Sequence, residues 1–265
     1  MAIPLPLLRR SKSKLLVLLL PPPPVLSFSH SFSNISSSPD PAAIFALISR
    51  HRWSRLQTLT GAATAAAADD LLRRLLSLPD SDPLLLLRLS RWSRRRFLRP
   101  TPLHLHSRLL LLLADRKLYP RLRSELHLLA ASRAHSPSSL LHSLSSSLLR
   151  HDRLALLADM LVLALVRTSQ TSSAFEAFRC SADYGCRLSV LSVNPLLSAL
   201  IDEGEIDGAE TVYKEMMRRK IGPNLITFNT AINGLCKSGK LRRAEDLIKD
   251  MRTWGLCRLL SLTIP

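Results

Sequence analysis

The sequence has few of the residues that build β-sheets. Only 5% of its 265 residues are aromatic and only 8 are glycine, whereas leucine, serine, arginine and alanine dominate. Leucine and arginine lose little rotamer freedom in a helix, and the aromatic and β-branched residues that favour strands are scarce. The composition therefore predicts an all-α fold, and a hydrophobic content of 46% is enough to build a core.

The cysteines lack the spacing of a metal site or a disulfide framework. No CxxC pair and no histidine at zinc-ligand spacing accompanies Cys180, Cys186, Cys236 and Cys257. We expect Cys236 and Cys257 to be small buried apolar residues in a reducing compartment. His104 and His106 have no third ligand near them, and we expect them to be surface residues.

Motifs of catalysis are also missing. The sequence has no nucleophile motif, no Gly-rich phosphate loop and no pair of acids on one predicted helix face. We therefore expect no enzymatic activity, no cofactor, no metal and no small-molecule substrate.

Long apolar runs and N-terminal acids are absent as well. The longest apolar runs, around 84–87 and 109–114, are far shorter than the roughly 20 residues of a membrane span, so we expect no membrane partner. Residues 1–39 contain no acid, and four basic residues precede a Ser-rich stretch, which is typical of an organelle transit peptide. A secretory signal is the alternative, but four prolines interrupt its apolar segment after six residues. We predict a disordered transit segment at 1–40, for the mitochondrion or alternatively the chloroplast.

The positive charge is concentrated in the leading part of the chain. Of the formal net charge of +17, residues 1–110 hold 16 Lys and Arg against 5 Asp and Glu, whereas residues 190–265 hold 11 against 9. Within the Leu/Arg/Ser-rich region 41–154, we predict helices of 10 to 15 residues separated by short breaks. The run "RLSRWSRRRFLRP" at 88–100 mixes arginine with Trp92 and Phe97. It is either a nucleic-acid patch or, more commonly, a solvated helix face.

The C-terminal part contains a duplication with a period of 35 residues. Seven positions of 191–216 are identical in 226–251: Asn194/Asn229, Leu200/Leu235, Gly204/Gly239, Ala209/Ala244, Glu210/Glu245, Lys214/Lys249 and Met216/Met251. In each copy, apolar residues recur at helical spacing twice, on either side of a glycine that ends the first helix. In the second copy, these residues include Cys236, Leu241 and Ile248. Each copy is thus predicted to be a helical hairpin, and hairpins of this size must stack to bury their apolar faces.

The residues of the second copy resemble a known family. The stretch "NLITFNTAINGLCKSGKLRRAEDLIKDM" at 224–251 is similar to the pentatricopeptide repeat of plant organelles, through its TFN, GLCK, SG, A and M elements. The resemblance implies an α-solenoid of stacked antiparallel hairpins, with repeats at 190–224 and 225–259, a degenerate repeat at 155–189 and a tail at 260–265. In the degenerate copy, Asp159 replaces the asparagine and no glycine separates the helices. The final repeat ends atypically, so we expect a truncated chain.

The family resemblance also implies a site and a partner. Asn194 and Asn224 are expected to contact one base of single-stranded RNA, with a preference for a pyrimidine, and Leu191 and Ile226 are expected to enclose that base. Asn229 is expected to contact the next base, although Leu259, at its partner position, has no hydrogen-bonding group. If the asparagines lack this role, they simply cap helices.

The predicted function is sequence-specific RNA binding in an organelle, supporting processing, stability, splicing or translation, with other RNA-processing proteins as further partners. A protein-binding helical scaffold and a truncated fragment without function are the alternatives.

Overall fold

The computed structural model describes residues 40–147 and 151–255, and most of these residues are helical. No strand occurs among these residues. The helices are α1 (Pro41–Ser49), α2 (Trp53–Thr60), α3 (Ala65–Leu76), α4 (Pro83–Phe97), α5 (Leu103–Asp115), α6 (Tyr119–Ser132), α7 (Pro137–Ser146), α8 (His151–Arg167), α9 (Thr171–Asp183), α10 (Val190–Asp202), α11 (Ile206–Arg218), α12 (Leu225–Lys237) and α13 (Leu241–Thr253). The prediction of an all-α fold is confirmed. The predicted transit segment at 1–40 lies outside the described residues except for Asp40.

Helix starts coincide with the polar breaks of the sequence. Asp82 accepts a hydrogen bond from the backbone N–H of Leu84 at 2.8 Å, and Ser136 accepts one from Ser139 at 3.2 Å. A proline follows each of these caps, where its missing N–H costs nothing and its fixed φ suits the first turn. Two of the predicted short breaks, "PDSDP" at 79–83 and "SPSS" at 136–139, therefore coincide with the starts of α4 and α7.

The helices pair into antiparallel hairpins that stack side by side. α8 packs on α9, α10 on α11 and α12 on α13 within hairpins. The first helices of successive hairpins form one row, in which α6 contacts α8, α8 contacts α10 and α10 contacts α12. In the other row, α5 contacts α7 and α7 contacts α9. This arrangement is the predicted α-solenoid. The first helices of the hairpins form a common surface on the side that faces away from the second helices.

The turn within each hairpin requires a left-handed residue. Gly204 has φ +80° and Gly239 has φ +74°, as the sequence predicts. A Cβ at either position would meet no atom within 4 Å, so glycine is favoured by backbone conformation and not by space. Thirty-five residues before Gly204, Ser169 adopts the same conformation with φ +52°. The degenerate copy thus makes the same turn without glycine, at some conformational cost.

Close packing between hairpins depends on small residues. Ala209 and Ala244 are buried where the helices approach each other. A Cβ on Gly234 would lie 2.7 Å from two atoms of Ile201, so this glycine of α12 allows α10 to come close. The sequence analysis did not identify Gly234, because its neighbour is 33 residues away.

Several burial predictions are wrong. Cys236 is exposed, and Leu241 is 60% exposed, because no described residue packs on that side of the last hairpin. His106 is buried beside Glu125 in α6, whereas His104 is exposed as expected. Cys257 lies outside the described residues. No described helix is long and apolar enough to cross a bilayer.

Candidate nucleic-acid interface

Two predicted site residues, Asn194 and Asn224, are in direct contact. Asn194 lies in the second turn of α10, and its Nδ2 donates a hydrogen bond to Asn224 Oδ1 at 3.1 Å. Asn224 is the N-cap of α12, where its Oδ1 also accepts from the backbone N–H of Thr227 at 3.0 Å. The asparagines are brought together although 30 residues separate them.

Thr227 completes this network from a fully buried position. Its hydroxyl donates to Asn194 Oδ1 at 2.8 Å and accepts from the backbone N–H of Asn224 at 3.1 Å. The pair of bonds between Asn224 and Thr227 is a capping box. In the sequence, Thr227 stands out only as part of the TFN element, without a predicted role. Its position three residues after an N-cap asparagine was the available signal.

The orientation of both amides follows from backbone donors. The N–H of Thr227 can only donate, so the atom of Asn224 that faces it must be Oδ1. Because that oxygen accepts from Asn194, the group of Asn194 that faces it must be Nδ2. Asn194 Oδ1 then faces the hydroxyl of Thr227. The Nδ2 of Asn224 remains, and it donates to no acceptor within the described part of the chain.

The predicted flanking residues are on the surface. Leu191 is 75% exposed and Ile226 is 62% exposed, in the first turns of α10 and α12. Leu191 precedes Asn194 by three residues, so both are on one side of α10. By contrast, Asn194 is only 9% exposed, which makes Asn224, half-buried at the helix start, the more accessible of the two amides.

The second predicted contact is less complete. Asn229 is exposed on α12, three residues after Ile226, as Asn194 follows Leu191. No described side chain hydrogen-bonds to it. Its expected partner, Leu259, lies outside the described residues.

The upstream copy reproduces the network with a carboxylate. Asp159 is 35 residues before Asn194, and its Oδ1 accepts from the backbone N–H of Ser189 at 2.9 Å. The hydroxyl of Ser192, the counterpart of Thr227, also donates to Asp159. The same junction therefore recurs between α8 and α10, but Asp159 offers only acceptors where Asn194 offers a donor and an acceptor.

The basic run at 88–100 is divided between paired and unpaired arginines. Arg91 and Arg94 of α4 contact Glu125 at 2.7 and 2.9 Å. Burial alone would raise the pKa of Glu125, but the proximity of His106, the hydrogen bond from Arg91 and the charge of Arg94 lower it to about 2. This part of the run joins α4 to α6 through ion pairs.

Comparison with known proteins identifies the repeated region. The model of the PPR repeat family matches residues 188–237 and 223–257. Residues 188–257 match pentatricopeptide repeats. The resemblance drawn from residues 224–251 is thereby confirmed, and α10 to α13 are two pentatricopeptide repeat hairpins. Members of this family are generally RNA-binding helical-repeat proteins.

Similar proteins share the repeats over a small part of their length. A pentatricopeptide repeat-containing protein of Arabidopsis thaliana is 33% identical over 87 residues, which are 33% of this chain and 8% of that protein. A second one from the same plant, named chloroplastic, is 33% identical over 85 residues, or 32% of this chain and 11% of its own length. The Arabidopsis small ribosomal subunit protein mS79 (rPPR3b) is 31% identical over 91 residues, or 34% of this chain and 23% of its own. The matches thus span less than a quarter of these relatives.

A solved structure is also similar. The crystal structure of the pentatricopeptide repeat protein PPR10 from maize aligns with a TM-score of 0.35 and 17% identity, over 80% of this chain and 43% of that one.

Proposed function

We propose that the pentatricopeptide repeats of this chain bind single-stranded RNA and that Asn194 and Asn224 contact one base. The observation that carries this proposal is the unused Nδ2 of Asn224, held in a fixed orientation next to exposed apolar side chains. A fixed donor loses little entropy when it binds a base edge. Leu191 and Ile226, which are costly to expose to water, would enclose the base from both sides.

The donor character of the site defines its base preference. Nδ2 can donate to the ring nitrogen N3 of cytosine or N1 of adenine, which accept a hydrogen bond. The corresponding nitrogens of uracil and guanine carry a proton and would oppose another donor. Because the resemblance implies a pyrimidine, we propose cytosine as the preferred base, with Asn229 contacting the neighbouring base.

The proposed cellular role depends on the protein covering a segment of a transcript. A protein that covers a specific single-stranded segment supports RNA processing, stability, splicing or translation without catalysis, and it leaves room for other RNA-processing proteins as partners. We propose that this occurs in the mitochondrion, with the chloroplast as the alternative. The composition of residues 1–39 and a chloroplastic relative support an organelle.

The variant Asn224→Asp tests the site directly. Aspartate retains the oxygen that caps α12 but replaces the free donor by an acceptor. The assay titrates the protein with labelled RNAs that differ at one base, and the wild type should prefer cytosine. N224D should shift that preference toward uracil by about tenfold or more, because a hydrogen bond to a charged group contributes about 1.5–3 kcal/mol. Asn233→Asp adds the same charge at an exposed site on α12 and should leave the preference unchanged.

The competing functions give different results in this titration. Equal base preference in wild type and N224D would refute the assignment of Asn224. Failure to bind any single-stranded RNA would favour the protein-binding scaffold instead.

A further inference from the structure

A second cluster of aromatic and basic residues lies far from the repeats in sequence. Trp53, the first residue of α2, stacks on Trp92 of α4 with ring centroids 5.1 Å apart and planes at 9°. His51 meets the edge of Trp53 at 5.8 Å, and Phe97 meets Trp92 at 5.9 Å. Both indoles pack against the edge of the core but are only half-buried, so part of each ring is accessible.

Arginines surround this stack, and half of those in the 88–99 segment have no carboxylate partner among the described side chains. Glu125 neutralises Arg91 and Arg94, and Asp69 pairs with Arg99. The other three arginines are exposed, and no carboxylate of residues 40–147 or 153–255 lies within 4.0 Å of them: Arg88, Arg95 and Arg96.

The unpaired arginines and the tryptophans share one concave surface. One cavity, of about 410 Å³, is lined by the two indoles, His51 and four arginines. No acidic or aliphatic residue lines it. An anionic ligand is therefore not repelled by a negative charge there, and a purely aliphatic ligand finds no aliphatic side chain to pack against.

We propose that the surface formed by His51, Trp53, Arg88, Trp92, Arg95 and Arg96 is a second binding site for single-stranded RNA, independent of base identity. Guanidinium groups bind phosphate through paired N–H donors, and indoles stack on any base. A nucleotide strand supplies an anion and a planar ring in each unit, which matches both components of the surface. An acidic peptide supplies the anions but no ring for the tryptophans. This site goes beyond the base-selective contact at Asn224, because it involves α2 and α4 and no amide.

Salt dependence provides the first test. Each phosphate neutralised on a single strand contributes about 0.7 to the slope of log Kobs against log salt, so three arginines contribute about 2. In the full chain, R88Q/R95Q/R96Q should reduce the slope for oligouridine by about 2. The control R116Q/R121Q/R123Q removes the same charge from exposed positions that do not line this cavity, and it should change the slope by less than about half as much. Equal changes in the two triple variants would overturn the proposal, because the effect would then be one of net charge.

Fluorescence provides the second test. The chain has three tryptophans, so Trp254→Phe leaves only Trp53 and Trp92 to report. Oligouridine should quench their emission through stacking, and polyglutamate should not. Equal quenching by the two polymers would assign the surface to acidic peptides, and no quenching by RNA would refute it. The base preference at Asn224 should be the same in R88Q/R95Q/R96Q, so failure of this site is distinguishable from failure of the other.

Discussion

The variant Thr227→Val should measure how much the hydrogen bonds between the α10–α11 and α12–α13 hairpins stabilise the fold. Valine has nearly the same shape as threonine, but it cannot donate to Asn194 Oδ1 or accept from the N–H of Asn224. Two neutral hydrogen bonds are worth about 0.5–1.5 kcal/mol each, and Asn194 Oδ1 is almost completely removed from water. We therefore expect the free energy of unfolding to fall by about 2–3 kcal/mol.

Chemical denaturation followed by circular dichroism measures this change, with the slope against denaturant compared to exclude altered cooperativity. Thr230→Val is the matched control, since Thr230 is half-buried in the same helix and its hydroxyl makes no hydrogen bond with a described residue. The control should lose less than about 0.5 kcal/mol. A loss below that value in Thr227→Val as well would show that the network does not hold the hairpins together.

Three further perturbations test the packing and electrostatics of the solenoid. Gly234→Ala should destabilise the fold by about 1–3 kcal/mol, because its methyl group overlaps Ile201. Ile201→Ala in the same chain should recover part of that loss, and additive losses in a double-mutant cycle measured by denaturation would contradict the contact. Ser169→Gly should raise the free energy of unfolding by about 0.5–1 kcal/mol, since it relieves a left-handed residue, and a lower melting temperature would argue against this. The pKa of Glu125 falls from 4.5 to about 2 on folding, so its contribution to stability is present above about pH 4.5 and is lost as pH falls toward 2. Denaturation measured between pH 6 and 3 should show this loss of stability, and the Glu125→Gln variant should not show it.

The sequence was sufficient for features that depend on local pattern. The 35-residue period predicted the hairpins, and the glycines at 204 and 239 predicted left-handed turns, because helical periodicity and backbone conformation are properties of short segments. Family resemblance supplied Asn194 and Asn224 as a pair, which no local pattern would have joined across 30 residues.

Features that depend on distant neighbours were missed or wrong. Thr227 received no role, because its importance arises from an amide in the preceding hairpin. His106 was expected at the surface, but Glu125 on the next helix and two arginines make a polar environment for it inside the protein. Leu241 has an apolar position in the helical pattern, yet its burial depends on a neighbour that the described residues do not provide.

The junction at Asn194, Asn224 and Thr227 also determines where the chain can be divided into exchangeable units. Asn194 belongs to one hairpin, whereas its two partners begin the next, so neither hairpin alone contains the complete hydrogen-bonded junction. Anyone recombining such hairpins to change RNA specificity would have to join them after Thr227. A fusion point between residues 224 and 225 would transfer both asparagines without Thr227, whose hydroxyl donates to Asn194.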